Sequence, residues 1–368
     1  GRSGTFVLDS PPLGGHRSPP VPPGSVDLAS GGPDPRLLPD LGRYLVHEGP
    51  SSSYDDPPML DALETAGRAW LARQGTDAAR LIATSGALDA IERVLAAHLR
   101  PGDAVAVERP GWSAVSDLVR ALGLRPVEVD IDDRGVLPAA LEAALPTIDA
   151  IVITPRAQNP VGAALDEERQ GRLDELLGGR PDILTIVDDH AGLIAGSPLC
   201  PLGVGGRRWA LVQSMAKTLG PDLRLALVTG DDLTLDRVSG RFGLGPGWVS
   251  RILQQTVASL LADDGVENLL LAAESEYTRR RQALVEALAE AGTVDATGRS
   301  GLNVWVPVHS EEAAVAAAAT AGFVIRGGAA FGAVRPSVRI TVSNLDTNDI
   351  PRLVSALGTT ERPGRRLV

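Results

Sequence analysis

Ala210-Leu211-Val212-Gln213 is a short apolar run, and Ser214-Met215-Ala216-Lys217 follows it directly. Lys217 is the only lysine in the chain; every other member of the 35 Lys plus Arg is an arginine. A coding bias toward arginine explains the other positions, but the same bias would have converted this one as well unless arginine cannot do its work. Arginine supplies charge and hydrogen bonds. It does not lose its proton to become an amine nucleophile, whereas a lysine in a suitable pocket does. Lys217 is therefore a candidate covalent catalyst at the end of a strand.

Outward from this stretch, short apolar runs recur at Arg80–Thr84, Ala104–Val107, Pro126–Val129, Ala150–Thr154, Ile183–Val187 and Leu225–Thr229. Helical segments such as Leu60–Arg73, Ser85–Leu99, Ser113–Leu122 and Glu167–Leu177 separate most of them. Continuous apolar strands alternating with helices predict an α/β fold, a mostly parallel central sheet sandwiched by helices. Beyond Gly247 the pattern turns helical, with one long amphipathic stretch over Val266–Ala291. A small α+β C-terminal domain is expected after it, with strands at Leu302–Pro307 and Val338–Val342 and helices at Glu311–Ala321 and Thr347–Leu357. A first helix is expected near Leu41–Val46.

The amino-terminal residues carry Pro11, Pro12, Pro19, Pro20, Pro22 and Pro23 among Gly and Ser, which is linker composition. The expected division is a linker over 1–25, a large domain over 26–290 and the small domain over 291–368. The 368 residues suit such a pair. No apolar run approaches the roughly 18–20 residues that cross a bilayer, and Gly1–Thr5 lack the start of a secretion signal. A cytoplasmic protein with no membrane partner is expected. A net charge of −11 argues against nucleic-acid binding by this chain itself. The single cysteine, Cys200, excludes an internal disulfide framework and gives no metal cluster.

Ligands of open α/β sheets sit beyond the carboxyl ends of the strands, and the chemistry-bearing residues fall there. Ser85-Gly86-Ala87 opens a helix whose N–H groups suit a phosphate; it also reads as a plain cap. Asn159, in Thr154-Pro-Arg-Ala-Gln-Asn-Pro160, could donate to a phenolate oxygen or simply sit in a turn. Asp188 ends the very apolar Ile183–Val187 run. A carboxylate there is costly to bury without a partner, and a protonated pyridine nitrogen is one. The competing role, a helix cap, fits Asp189 better. Ser214 and Arg224 could share the phosphate with the Ser85 loop. Arg339, between Val338 and Ile340, would point away from the core toward a cleft and a ligand carboxylate, or be an exposed strand arginine.

Asn159-Pro160, Asp188, Ser214-x-x-Lys217, Arg224 and Arg339 resemble, in order and spacing, the class I/II aminotransferases of pyridoxal 5′-phosphate (PLP) fold type I, the aspartate aminotransferase-like fold. The resemblance covers Val26 to Leu357. It implies PLP held as a Schiff base on Lys217, with Asp188 on the pyridine nitrogen and Asn159 on the ring oxygen. Ser85, Gly86, Ala87, Ser214 and Arg224 would cradle the phosphate. Trp112 would stack on the ring, and Tyr54 would reach the phosphate of a partner subunit, which implies a homodimer. Arg339 would clamp the carboxylate of an amino acid, and residues 26–50 would form an arm packing on the small domain. One departure stands out: the family usually has a tyrosine two or three residues after the aspartate, where this chain has His190 and Ala191. His190 is then the candidate for the tyrosine's hydrogen bond, with a different pKa and reach.

A second resemblance bears on function. Gly1-Arg-Ser-Gly-Thr-Phe-Val7 is similar to the end of the wing hairpin in GntR-type winged-helix domains. Linker followed by an aminotransferase-like body is the layout of MocR-type transcriptional regulators, and Gly301–Trp305 and Asp188-Asp-His190 are closer to that group. The leading expectation is an effector domain that senses an amino acid or amine by Schiff-base exchange at Lys217, with DNA bound only through a winged-helix domain outside this chain. The rivals are a free-standing PLP-dependent aminotransferase, converting an amino acid and a 2-oxo acid, and a cofactor-free structural protein.

Overall fold

The apolar runs become strands because both faces of their sheet are covered. In the computed structural model, which describes residues 19–45, 53–203, 208–293 and 295–358, β1 is Val26–Asp27 and α1 Asp61–Arg73. There follow β2 (Ile82–Thr84), α2 (Ala87–His98), β3 (Ala104–Arg109), α3 (Ser113–Ala121), β4 (Arg125–Asp132), β5 (Gly135–Val136) and α4 (Pro138–Ala144). Next are β6 (Ala150–Ile153), α5 (Glu167–Gly178), β7 (Leu184–Asp189), β8 (Trp209–Ser214), β9 (Ala226–Gly230), α6 (Asp232–Gly243), α7 (Arg251–Leu261) and α8 (Asp264–Glu290). The chain continues through β10 (Asn303–Pro307), α9 (Glu311–Thr320), β11 (Phe323–Val324), β12 (Arg326–Gly327), β13 (Ser337–Thr341) and α10 (Ile350–Gly358).

The main sheet has the order β2-β9-β8-β7-β6-β3-β4-β5. Alternate residues feed two cores. Ala104, Ala106, Ile151, Ile153 and Val187 face one; Val105, Val107, Ala150, Val152 and Ile186 face the other. That is why these strands read as unbroken hydrophobic runs. The pairs from β4 through β8 are parallel, as expected, but β9 runs antiparallel to β8 and β2. Only the 215–225 loop joins β8 to β9, and a connection without a crossover helix suits antiparallel neighbours. Strand order reverses between β3, which continues to β4 on one side, and β6, which continues to β7 on the other. A ligand crevice opens at such a switch point.

A second, antiparallel sheet has the order β10-β13-β12. It packs with α9, α10 and the end of α8 in a core containing Leu284, Leu288, Val304, Ile340 and Leu353. Helix α8, of 27 residues, spans about 40 Å at 1.5 Å per residue. Its beginning, through Val266, Leu270 and Tyr277, belongs to the core beside the main sheet. β1 pairs in parallel with β11, and fully buried Leu28 enters the second core. The backbone that follows, 29–33, is thereby laid across the mouth of the crevice.

Some expectations are corrected. Instead of a helix near Leu41–Val46 there is a 3-10 turn, Leu41–Arg43, capped by Asp40 and containing Gly42, a poor helix residue. The last helix starts as a 3-10 turn at Thr347–Asp349; α10 begins at Ile350, where Pro351 needs no N–H partner. The wing-like Gly1–Val7, the linker up to residue 18, Val46, and the arm residues 46–50 lie outside the described residues.

Leu28→Ala is expected to destabilise the chain by about 2–5 kcal/mol, the range for truncating a buried leucine. It should also raise hydrogen exchange at residues 29–33. Urea denaturation with exchange mass spectrometry reads both, and an unchanged exchange pattern would mean the arm is held elsewhere.

Candidate functional site

At the carboxyl ends of β3, β6, β7 and β8 lies a cavity of about 380 Å³. Glu108, Thr154, Asp188 and Ser214, one from or just past each of these strands, line its floor; Ala29–Pro33 and the second sheet, through Arg326 and Arg339, close the other side. Asp188 and Lys217 both face this space.

Asp188 and Asp189 are consecutive on a strand and so point to opposite faces. Asp189 is fully buried, yet Arg156 forks onto it (Nε–Oδ1 2.9 Å, Nη2–Oδ2 2.7 Å) and Gln213 Nε2 donates at 2.6 Å. Burial raises its pKa, but these donors outweigh burial and hold it below the ordinary value. Asp189 also accepts from Gly192 N. Asp188, 2 % exposed, has the reverse surroundings: its Oδ1 has no hydrogen-bond partner. Burial, then the neighbouring Asp189 and Glu108, push it up to about 7, against the pull of Lys217. A buried carboxyl oxygen without a donor is uncommon, and here it faces a cavity.

Lys217 is part-buried and donates to the Gly31 carbonyl of the arm. Burial, and secondarily Arg339, lower its amine to about 8, with Asp188 opposing. Roughly a tenth of it is then the neutral nucleophile at pH 7, far more than of an ordinary lysine. His190 lines the same space and is pushed down to about 4 by burial and by Lys217, so its imidazole is neutral at pH 7.

At one end of the cavity Gly86 has φ +98°, and a Cβ there would stand 3.1 Å from Arg224 Nη2. Glycine thus lets Arg224 close on the start of α2, where N–H groups and the helix dipole favour an anion. Ala87, Ser214 and Arg224 line this end; Ser85 and Gly86 are outside the lining, and exposed Ser85 donates its N–H to Asp89. At the other end Arg339, 4 % exposed, donates to Asn159 Oδ1 at 2.9 Å and to the Ala29 carbonyl, while its Nε has no partner. Its guanidinium lies 4.8 Å from the Phe331 ring centroid, and burial lowers its pKa to about 10. Trp112 lines the cavity as well. Tyr54 does not: it is 90 % exposed, edge-on to Trp248 at 5.7 Å. Gly31, Gly32 and Pro33 line the cavity, and the 243–248 loop does not.

Two groups escaped the sequence reading. Glu108 accepts from Thr154 N at 2.9 Å and from Gln158 Nε2 at 3.0 Å, and burial raises it to about 7. Its signal was the same as that of Asp188, an acid at the end of an apolar strand. Arg326 lines the cavity from a two-residue strand too short to be seen in the sequence. Cys200 is buried against the Leu165 carbonyl, its thiol pushed up by burial. Among the described residues no group of three metal-ligating side chains occurs, and no helix is long and apolar enough to cross a membrane.

The cavity residues fit PLP on this geometry. The donorless Asp188 oxygen suits a protonated ring nitrogen, the lowered amine of Lys217 an aldehyde, and the Gly86–Arg224 end a phosphate. Fold and site together define a protein of PLP fold type I, built like aspartate aminotransferase. A family model described as aminotransferase class I and II matches residues 27–357, and the chain belongs to that family. It is 38 % identical, over 96 % of its length and 84 % of the relative's, to the vitamin B6 salvage pathway transcriptional repressor PtsJ of Salmonella typhimurium. It is 30 % identical to the HTH-type transcriptional regulator TauR of Rhodobacter capsulatus, over 72 % of this chain but only 56 % of TauR. Among solved structures, Pyrococcus horikoshii kynurenine aminotransferase, determined in complex with PMP, superposes with a TM-score of 0.77 over 92 % of this chain and 90 % of its own, at 23 % identity.

Asp188 also sets a pH dependence. Its folded pKa of about 7 stands above the ordinary aspartate value of 3.8, so the folded state keeps a proton that the unfolded state releases. Its contribution is complete below the lower value and is lost as pH rises toward the upper one. Urea titrations of the cofactor-free chain and of Asp188→Asn are expected to show the wild type losing stability relative to the variant between about pH 4 and 7. A parallel pair of curves would show Asp188 to be ionised throughout.

Proposed function

We propose that this chain is the PLP-binding effector domain of a MocR/GntR-type transcriptional regulator, sensing an amino acid or amine at Lys217. The 38 % identity to a named transcriptional repressor over nearly the whole chain carries this reading. The name of that relative makes vitamin B6 itself the first ligand to test as a signal. A place in the cytoplasm goes with a role on DNA. DNA would be contacted through a winged-helix domain outside residues 1–368, since a net charge of −11 suits no phosphate backbone.

PLP supplies an aldehyde that condenses with amines and a ring that withdraws electrons. Lys217 would hold it covalently and, when free, hold or return a proton at its Nζ. Asp188 would accept from the ring nitrogen, and Asn159 and neutral His190 would orient the ring oxygen. Trp112 would stack on the ring. Gly86, Ala87, Ser214 and Arg224 would bind the phosphate, and the exposed Ser85 could join them by its hydroxyl. Arg339 would take the ligand's carboxylate. Because Arg339 lies on the second sheet and Lys217 beside the first, a ligand bridging them would draw residues 291–358 toward residues 26–290. We assign these as the small and large domains, and their closure as the signal. The 90 % exposure of Tyr54 beside Trp248 supports a homodimer in which Tyr54 reaches the partner's site.

The rival reading, a free-standing aminotransferase, is favoured by two observations: the donorless Asp188 oxygen and the lowered Lys217 amine are what turnover on PLP requires. Two measurements decide. Borohydride reduction of the PLP-treated protein, followed by intact mass, is expected to fix the cofactor in the wild type and not in Lys217→Ala; stoichiometric fixation in the variant would move the covalent site elsewhere. Gel shifts with the chain extended at its amino terminus should then change with the effector. An unchanged shift, together with sustained transamination by the chain, would leave the enzyme reading standing alone.

A further inference from the structure

Glu108 lines the cavity from the end of β3, yet none of the ligand contacts assigned above uses it. Its carboxyl is turned to the protein instead. Oε1 accepts from Thr154 N at 2.9 Å, just past β6, and Oε2 accepts from Gln158 Nε2 at 3.0 Å. Gln158 is fully buried and has its whole amide engaged: Nε2 also donates to the Pro110 carbonyl at 3.0 Å, and Oε1 accepts from Val161 N at 3.0 Å.

These bonds join three parts of the chain. Thr154 begins the loop that carries Asn159, Gln158 stands next to Asn159, and Pro110 opens the turn into Trp112. That turn has little slack, because a Cβ on Gly111 would stand 2.2 Å from the Glu108 carbonyl oxygen. Asn159 and Trp112 are the residues assigned above to the edge and the face of the cofactor ring. They follow β6 and β3, the neighbours at which the strand order reverses. Glu108 ties the two together at the floor of the crevice.

The tie depends on a carboxylate. Both oxygens receive N–H donors, so an amide at this position would set its own NH2 against one of them. Burial raises Glu108 to about 7, and the Thr154 and Gln158 donors oppose burial. Asp188 on β7 feels the Glu108 charge, and Lys217, His190, Arg224, Arg326 and Arg339 line the same cavity. A negative charge at this place favours the protonated form of a titrating ligand beside it.

We propose that Glu108 is a positioning residue of the cofactor site: its carboxylate holds Asn159 through Gln158, and Trp112 through Gln158 and Pro110, so that both meet one ring. This rests on the reading of the cavity as a PLP site. It adds the group that fixes the two ring contacts relative to each other.

The test uses the full chain carrying Glu108→Gln, which keeps the size and removes the charge, or Glu108→Asp, which keeps the charge and is too short to span both donors. PLP binding is followed by calorimetry, visible circular dichroism and pH titration of the cofactor absorbance, and urea denaturation of the cofactor-free forms reports the fold. Both variants are expected to bind PLP roughly tenfold or more weakly, the loss of one hydrogen bond to a charged group. Both should also lose much of the dichroism, which reports a ring held in one fixed setting. The pH midpoint of the absorbance change should fall by roughly half a unit or more in Glu108→Gln, and stay near the wild-type value in Glu108→Asp. A residue that served the fold alone would lower urea stability and leave the dichroism and midpoint of the bound cofactor unchanged; that outcome, or wild-type affinity in both variants, would overturn the proposal. If Glu108→Gln does not fold, Glu108→Asp decides alone by its affinity and dichroism. A failure of the underlying reading is distinguishable, because the wild type itself would then show no saturable PLP binding.

Discussion

A carboxyl oxygen of Asp188 is buried with no donor, and the surrounding architecture follows from keeping it so. The strand that carries Asp188 is central, with β6 on one side and β8 on the other, so its edges are paired and Asp188 is left facing the cavity. Its neighbour Asp189 absorbs the donors within reach, Arg156 and Gln213, on the opposite face. Two adjacent acids are thereby sorted by the two-residue period of the strand: one neutralised inside the protein, the other left for a ligand. The buried ion pair also braces the loop that carries Asn159, since Arg156 begins it.

Burial shifts other ionisable groups of the cavity as well. Lys217, Glu108, Asp188 and His190 all sit away from their ordinary ionisation, with burial the largest cause for each. Such clustering is a mark of functional sites. A cationic ring nitrogen against Asp188 would relieve its burial and its repulsion from Asp189 at once. The site's electrostatics thus fit a cationic ring nitrogen at Asp188.

The second constraint is mechanical. Residues 29–33 lie between the two sheets, tied to the second by β1 and Leu28 and to Lys217 and Arg339 by the carbonyls of Gly31 and Ala29. A ligand that competes for the Lys217 amine or the Arg339 guanidinium therefore acts on the arm as well. In the proposed function, closure of the second sheet on the first and cofactor binding would share the same few hydrogen bonds, which suits a sensor as well as an enzyme.

Much was legible in advance. The lone lysine, the acid ending an apolar strand, and the Asn-Pro turn are local signals, because each depends on residue type at a strand end and strand ends are where α/β sheets hold ligands. Glu108 carried the same signal and was passed over; Arg326 carried none, as its strand of two residues has no period to read. Ser85 matched by position in the sequence, yet it is exposed and outside the cavity lining, whereas Tyr54, expected at a partner subunit, lies exposed beside Trp248. A motif fixes spacing along the chain and says nothing of which way a side chain leaves a loop.

The amino-acid sequence by itself determined the strand–helix alternation and set the lone lysine and Asp188 at strand ends, where burial and what lysine can do that arginine cannot make them the candidates. The tertiary structure alone decided that Asp188 lacks a donor while Asp189 has several, that β9 runs against its neighbours, and that two arginines distant from Lys217 in sequence share its cavity. Those are matters of facing and pairing across the fold, and such long-range geometry is set by how the sheets pack, not by any one stretch of residues.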